Sequence, residues 1–72
     1  MSMPLSEREK EILELLSRGL LNKEIGYRLS ISEDTVKKHN KNIFKKLVVR
    51  NRVEAIVYYK NNRNEILNQN HP

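Results

Sequence analysis

An all-α fold of four helices is what this 72-residue chain predicts. Three observations carry it. Apolar residues recur at three- and four-residue spacing rather than alternating. Each apolar run follows a Ser or Asn suited to cap a helix, and the connections between runs are only a few residues long. With no strand alternation, internal repeat or long linker, residues 1–72 read as one domain, its core over about 5–61 and a fraying tail at 62–72.

The first helix begins after Ser6, where Ser6-Glu7-Arg8-Glu9 has the spacing of a capping box. Its inward stripe is Glu9, Ile12, Leu13, Leu16 and Leu20, with Leu15 alongside. Gly19 ends it by supplying a left-handed residue, so that Leu20 can fold back toward Leu15. Asn22 is read as the cap of a short second helix carrying Ile25 and Leu29 four residues apart. Gly26 costs about 1 kcal/mol relative to Ala in mid-helix, and its expected use is to let another helix approach closely.

Ser30-Ile31-Ser32 is a three-residue turn with an apolar plug, Ile31, leading into the third helix. Two helices joined this tightly match a helix-turn-helix arrangement. The third helix spans about 33–47, capped by Ser32 and with Glu33 and Asp34 in the first turn, where the helix dipole favours negative charge. Val36, Ile43 and Leu47 fall within about 20° of one line on a helical wheel, and Lys41, Lys45 and Lys38 lie opposite at roughly 140°, 180° and 200°. Beyond Val48-Val49-Arg50, Asn51 caps a fourth helix with Glu54 at its third position, running to about Asn61. Ile66 and Leu67 could extend it into the tail.

The net charge of +5 is unevenly placed. Residues 1–34 carry five basic and seven acidic side chains, whereas residues 35–63 carry nine basic side chains against only Glu54. A concentrated basic face is the electrostatic footprint of a polyanion partner, and a helix anchored on one side with lysines on the other suits the major groove of DNA. The chain has no cysteine, which excludes disulfides and thiolate metal sites and fits a reducing compartment. No apolar run is long enough to span a membrane and no signal-peptide pattern opens the chain, so the expectation is a cytoplasmic protein, nucleoid-associated when bound.

The pieces Leu5-Ser6-x-Arg8-Glu9, Gly19-Leu20-x-Asn22-Lys23-Glu24-Ile25 and Leu29-x-Ile31-Ser32-x-x-Thr35-Val36-Lys37-x-His39 follow one another in order. They continue with Asn42-Ile43-x-x-Lys46-Leu47-x-Val49-x-x-Arg52-x-x-Ala55. From about Leu5 to Tyr59 the chain resembles the LuxR-type (GerE-like, NarL-like) helix-turn-helix domain of bacterial transcription regulators. The resemblance implies a four-helix domain of the kind that serves as a response regulator effector domain, its third helix in the major groove and its fourth helix mediating dimerisation; whether this chain is such an effector domain or a complete protein stays open. It implies base contacts from Lys37, Lys38 and Lys41, and backbone contacts from Asn22, Lys23, Thr35 and Lys46. Glu9 would tie the first helix to the others. Ser6 stands where Thr is usual, Gly26 where Ala is usual, and Tyr27 and Lys38 at variable positions. The N-terminal receiver or ligand-sensing domain usual in that family has no counterpart within these residues.

His39, at about 300° on the wheel, sits at the edge of the apolar stripe. It reads as a packing histidine or a phosphate donor rather than a metal ligand, because no second ligand lies at suitable spacing. Asn42 borders the lysine face and is read either as a DNA contact or as a plain surface amide. Lys41 and Lys45 have no acid at i±4 within their helix to pair with, which a purely structural face would tend to supply, while Glu33 and Asp34 stand four residues before Lys37 and Lys38.

In the fourth helix Val53, Ile56 and Val57 form one stripe, expected to face the core. Ala55, Tyr58 and Tyr59 cluster on the opposite side and are expected at a dimer contact.

No Gly-rich phosphate loop, nucleophile with a matching base, or paired carboxylates support an enzyme, and the third helix has too narrow a stripe, without Trp, for a membrane-surface element. The expected function is therefore a sequence-specific regulator of transcription, a homodimer on double-stranded DNA, with RNA polymerase as a further candidate partner. No cofactor, metal, membrane or small-molecule ligand is expected. The alternative is a protein-interaction module that pairs through the fourth helix with a larger regulator of the same family and modulates its DNA binding.

Overall fold

The computed structural model describes residues 4–68, which form five helices and no strand. They are α1 (Glu7–Ser17), α2 (Asn22–Leu29), α3 (Glu33–Leu47), α4 (Arg52–Asn61) and α5 (Arg63–Leu67). α1 is central, packing against α2, α3 and α4, while α2 and α3 form the tight pair. The core between them holds Leu5, Ile12, Leu13, Leu16, Ile25, Val36, Ile43 and Leu47, closed at one end by Ala55, Tyr59 and Ile66. No helix among the described residues is long and apolar enough to cross a membrane.

The ends of α1 follow the local chemistry. Ser6 Oγ accepts from the Glu9 amide at 3.1 Å and the Ser6 amide donates to Glu9 Oε1 at 2.9 Å, a reciprocal capping box. At the other end Gly19 takes φ 92°, Gly19 N–H donates to Leu16 O at 3.0 Å and Leu20 N–H to Leu15 O at 3.3 Å. This pair of bonds is a Schellman closure, and it turns Leu20 back onto the core as expected.

The start of α2 differs from expectation. Leu21, not Asn22, occupies the cap position, and having no side-chain acceptor it is held only by its amide donating to Glu24 Oε1 at 2.7 Å. Asn22 is thereby inside the first turn, with its carboxamide free for other use. The helix-turn-helix turn forms as expected, with Ser30 left-handed at φ 59° and Ile31 N–H donating to Gly26 O at 2.9 Å. Ile31 packs against the core. Gly26 is needed there, though not by a passing helix: a Cβ on it would lie 2.7 Å from Ile31 O and 3.4 Å from the Glu33 amide nitrogen. The backbone of the turn itself crosses Gly26.

α3 is capped by Ser32, whose Oγ accepts from the Thr35 amide at 3.0 Å. It ends on Val48, a β-branched residue at φ 58°, with Val49 N–H returning to Phe44 O at 3.0 Å. α4 opens on Asn51, whose Oδ1 accepts from the Glu54 amide at 2.9 Å, while Glu54 reaches past the cap to the Arg50 amide at 2.8 Å.

The faces of α4 are the reverse of those expected. Ala55 is fully buried and Tyr59 is 4 % exposed, whereas Val53 is 69 % and Val57 51 % exposed. Ile56 and Tyr58 lie between, partly packed on the core. Both faces of this helix are apolar, so polarity could not choose between them. Small Ala55 lets α1 approach closely, and Tyr59 has the volume to fill the space beyond it. Ala55 and Tyr59 are therefore core residues and not an open dimer surface.

The expected fraying from residue 62 is also corrected. Asn62 bends the chain, its Nδ2 donating to Tyr58 O at 2.9 Å, and α5 then buries Ile66. Residues 69–72 of that tail lie outside the described residues.

Candidate nucleic-acid interface

Burial of Val36, Ile43 and Leu47 fixes the roll of α3 about its own axis. Lys37, Lys38, Lys41, Asn42 and Lys45 are consequently all exposed, along one outward face. Four ion pairs form among the described residues: Lys10–Glu7, Arg18–Glu14, Lys46–Glu9 and Arg50–Glu54. None of the four outward lysines of α3 takes part in one. Glu33 and Asp34 lie one turn before Lys37 and Lys38, whereas Lys41 and Lys45 have only lysines as charged neighbours one turn away, so the face carries a clustered positive charge.

The other expected contact residues are placed differently from one another. Lys23 is exposed at the start of α2. Thr35 is half-buried, its hydroxyl sharing a 2.8 Å hydrogen bond with Ser32 Oγ, so its first role is at the cap. His39 is half-buried at the edge of the stripe. Asn22 is half-buried, its Oδ1 accepting from Asn40 Nδ2 at 2.8 Å across the helix-turn-helix.

Lys46 does not join the outward row. Its Nζ lies 2.8 Å from Glu9 Oε1, with the Glu9 side chain only 7 % exposed. Burial pushes the Glu9 carboxyl up, but hydrogen bonds from Lys46 and Ser6, with the Lys46 charge, outweigh this and hold it below the ordinary value of 4.5. The expected tie from Glu9 is thus made to α3, through Lys46, whose Nζ donates to it.

A groove of about 340 Å³ runs beside the lysine row, lined by Leu16, Asn22, Lys37, Asn40, Lys41, Phe44 and Arg52. Arg52 is anchored there by a hydrogen bond from its guanidinium to Leu20 O. Sequence reasoning passed over two of the polar side chains among these. Arg52 offered only its place in the motif. Asn40 had a clearer signal, since it falls about 40° from Val36 on the wheel, inside the stripe expected to be apolar. Among the described residues no group of three or more His, Cys, Asp or Glu is placed to hold a metal ion.

Comparison with known proteins agrees with this geometry. Residues 3–59 match the description of bacterial regulatory proteins of the luxR family. Over 56 residues the chain is 52 % identical to the transcriptional regulatory protein LnrK of Bacillus subtilis (strain 168), a match covering 78 % of this chain and 26 % of that protein. It is 50 % identical over 54 residues to the nitrate/nitrite response regulator protein NarL of Escherichia coli (strain K12), covering 75 % and 25 %. Among solved structures, the response regulator ChrA of a heme-sensing two-component system superposes with a TM-score of 0.80 at 44 % identity, covering 88 % of this chain and 31 % of that one. The chain spans about a quarter of the length of the curated relatives it matches.

Proposed function

The chain belongs to the luxR family of bacterial regulatory proteins, a family of helix-turn-helix transcription regulators rather than enzymes, and from that premise we propose that it binds a specific double-stranded DNA sequence with α3 in the major groove. The observation that carries this reading is the exposed, unpaired row of Lys37, Lys38 and Lys41 on a helix whose opposite side is locked into the core. Lys37, Lys38 and Lys41 read base edges, with Asn42 and His39 at the border of that surface. Lys23, Asn22 and the Thr35 end of α3 meet the phosphate backbone. The setting is the cytoplasm of a bacterium, with RNA polymerase the machinery whose access the bound protein alters.

The protein acts as a dimer on DNA through the outward face of α4. Val53 and Val57, one turn apart and exposed, supply the apolar contact, and Tyr58 borders it. Two such subunits would read half-sites about one turn of DNA apart.

Selection of an operator followed by anisotropy titrations over several salt concentrations tests both parts. A monomer making about four phosphate contacts gives a slope of log K against log salt near −3.6, and a dimer about twice that. Lys41→Ala should weaken specific binding more than non-specific binding, and Val57→Lys should leave a folded monomer with the smaller slope. Binding to no duplex after selection, or binding indifferent to salt, would refute the DNA reading. An undiminished slope for Val57→Lys would refute the dimer face.

A further inference from the structure

We propose that Asn40 is a positioning residue of the DNA interface, holding the Asn22 carboxamide so that its NH2 group faces a backbone phosphate. The inference rests on the DNA-binding reading above. The phosphate contact of Asn22 belongs to that reading, and the role of Asn40 goes beyond it.

Asn40 interrupts the apolar stripe of α3 between Val36 and Ile43 and is 8 % exposed. Its Nδ2 donates to Asn22 Oδ1 at 2.8 Å, and its Oδ1 is buried with no partner among the described residues. As a stabilising element this is a poor arrangement, because a buried acceptor without a donor carries the cost of its lost hydration. An aliphatic side chain at this position would remove that cost and add apolar contact. Asn40 therefore supplies something other than stability.

What it supplies is orientation. With Oδ1 of Asn22 occupied by Asn40, the amide plane of Asn22 is fixed and its Nδ2 is the end left over. That nitrogen has no partner among the described residues and is not buried. It belongs to a side chain lining the same groove as Lys37, Lys41 and Arg52. Its residue is the first of α2, where the backbone amides and the helix dipole also favour an anion. A phosphodiester offers acceptors only, so the carboxamide is useful there solely when its NH2 end points outward. Because the bond spans α2 and α3, it also sets where the backbone contact lies relative to the base-reading lysines, the kind of register role in which a buried amide is best attested.

The test is a double-mutant cycle on the operator selected for the unaltered protein, with thermal unfolding of each variant alongside. Asn40→Leu should bind about three- to tenfold more weakly, the worth of one hydrogen bond, with a melting temperature equal to or above that of the parent. Its log K against log salt line should run parallel to the parent's, since a neutral amide releases no counterions. Asn22→Ala should lose a similar factor. The double variant should be no weaker than Asn22→Ala within about twofold, because Asn40 acts only through Asn22. Lys37→Ala combined with Asn40→Leu should instead lose the product of the two factors. In the parent, nitrogen-15 spectra should show the Asn40 NH2 protected from exchange and the Asn22 NH2 shifting on addition of DNA. Should Asn40→Leu fail to fold, Asn40→Ala carries the same binding expectations, without the expectation on melting temperature.

Unchanged affinity in the position-40 variant, an additive loss with Asn22→Ala, or an Asn22 NH2 signal indifferent to DNA would each overturn the role of Asn40 while leaving DNA binding in place. Failure of the parent to bind any duplex would overturn both.

Discussion

Replacing Lys46 by Met removes the ammonium from the Glu9–Lys46 pair while keeping most of the aliphatic stem. The carboxylate of Glu9, 7 % exposed, then retains only the Ser6 amide, 2.9 Å away, as a strong donor. A hydrogen bond to a charged group contributes about 1.5–3 kcal/mol, and breaking a fully buried pair costs about 3–5 kcal/mol. Here the Lys46 side chain is 24 % exposed and the Ser6 bond survives, which places the cost near the lower range, at about 2 kcal/mol. For a domain of this size that lowers the melting temperature by about 8–16 °C. Acidity supplies a second signature. The Glu9 carboxyl lies below its ordinary 4.5 in the folded protein, so its contribution is complete above that value and fades as the pH falls through the folded one. In Lys46→Met the upward push of burial is less opposed, and protonation relieves it. The stability gap between parent and variant should thus be widest near neutral pH and narrow on acidification below about pH 5.

Thermal unfolding followed by circular dichroism, at constant ionic strength and several pH values, measures both effects. A shift below about 2 °C at neutral pH, together with weakened DNA binding, would refute the reasoning. It would return Lys46 to the phosphate-binding role that the family resemblance implies.

Three further substitutions probe the frame that holds α3. Val48→Gly should raise stability by about 1 kcal/mol, because Val48 is 79 % exposed and held at φ 58°, where a β-branched side chain is strained; a lower melting temperature would count against this. Gly26→Ala should lower stability by about 1–3 kcal/mol despite alanine's better helix propensity, since the new Cβ would meet Ile31 O at 2.7 Å; chemical denaturation showing a gain would mean the turn yields easily. Tyr59→Phe should be neutral or stabilising by up to about 1 kcal/mol, as the Tyr59 hydroxyl is buried without a partner among the described residues; a clear loss in urea unfolding would show that the hydroxyl is bonded.

What the sequence made legible was local. Ser6 with Glu9, Gly19 with Leu20, the Ser30–Ser32 turn and the Ser32 cap all depend on residues within five positions of one another. Each also has a backbone requirement that few residue types meet. The lysine row was legible for a related reason: three buried aliphatic residues set the roll of α3, and every other position follows from helical geometry. The faces of α4 were not legible, because Val53, Ile56 and Val57 are no less apolar than Ala55, Tyr58 and Tyr59. The choice is made by volume against α1, a tertiary property. The Lys46–Glu9 pair was not legible for the same kind of reason, the two residues being 37 positions apart.

Asn40 separates these two kinds of information. Its angle on the wheel announced an inward position, and its polarity contradicted that announcement. A wheel built only from the aliphatic residues passed over the conflict. An amide forced into an apolar stripe has three ways to be tolerated: exposure at the edge of the stripe, a full set of partners, or a partial set retained for something other than stability. The 8 % exposure removes the first and the orphaned Oδ1 removes the second. The third ties the residue to the single side-chain partner it has among the described residues, Asn22, and so to the side of α2 that faces the groove with Lys37 and Lys41. In a core built mainly from aliphatic residues, a polar residue at such a position is accounted for by binding geometry rather than by folding.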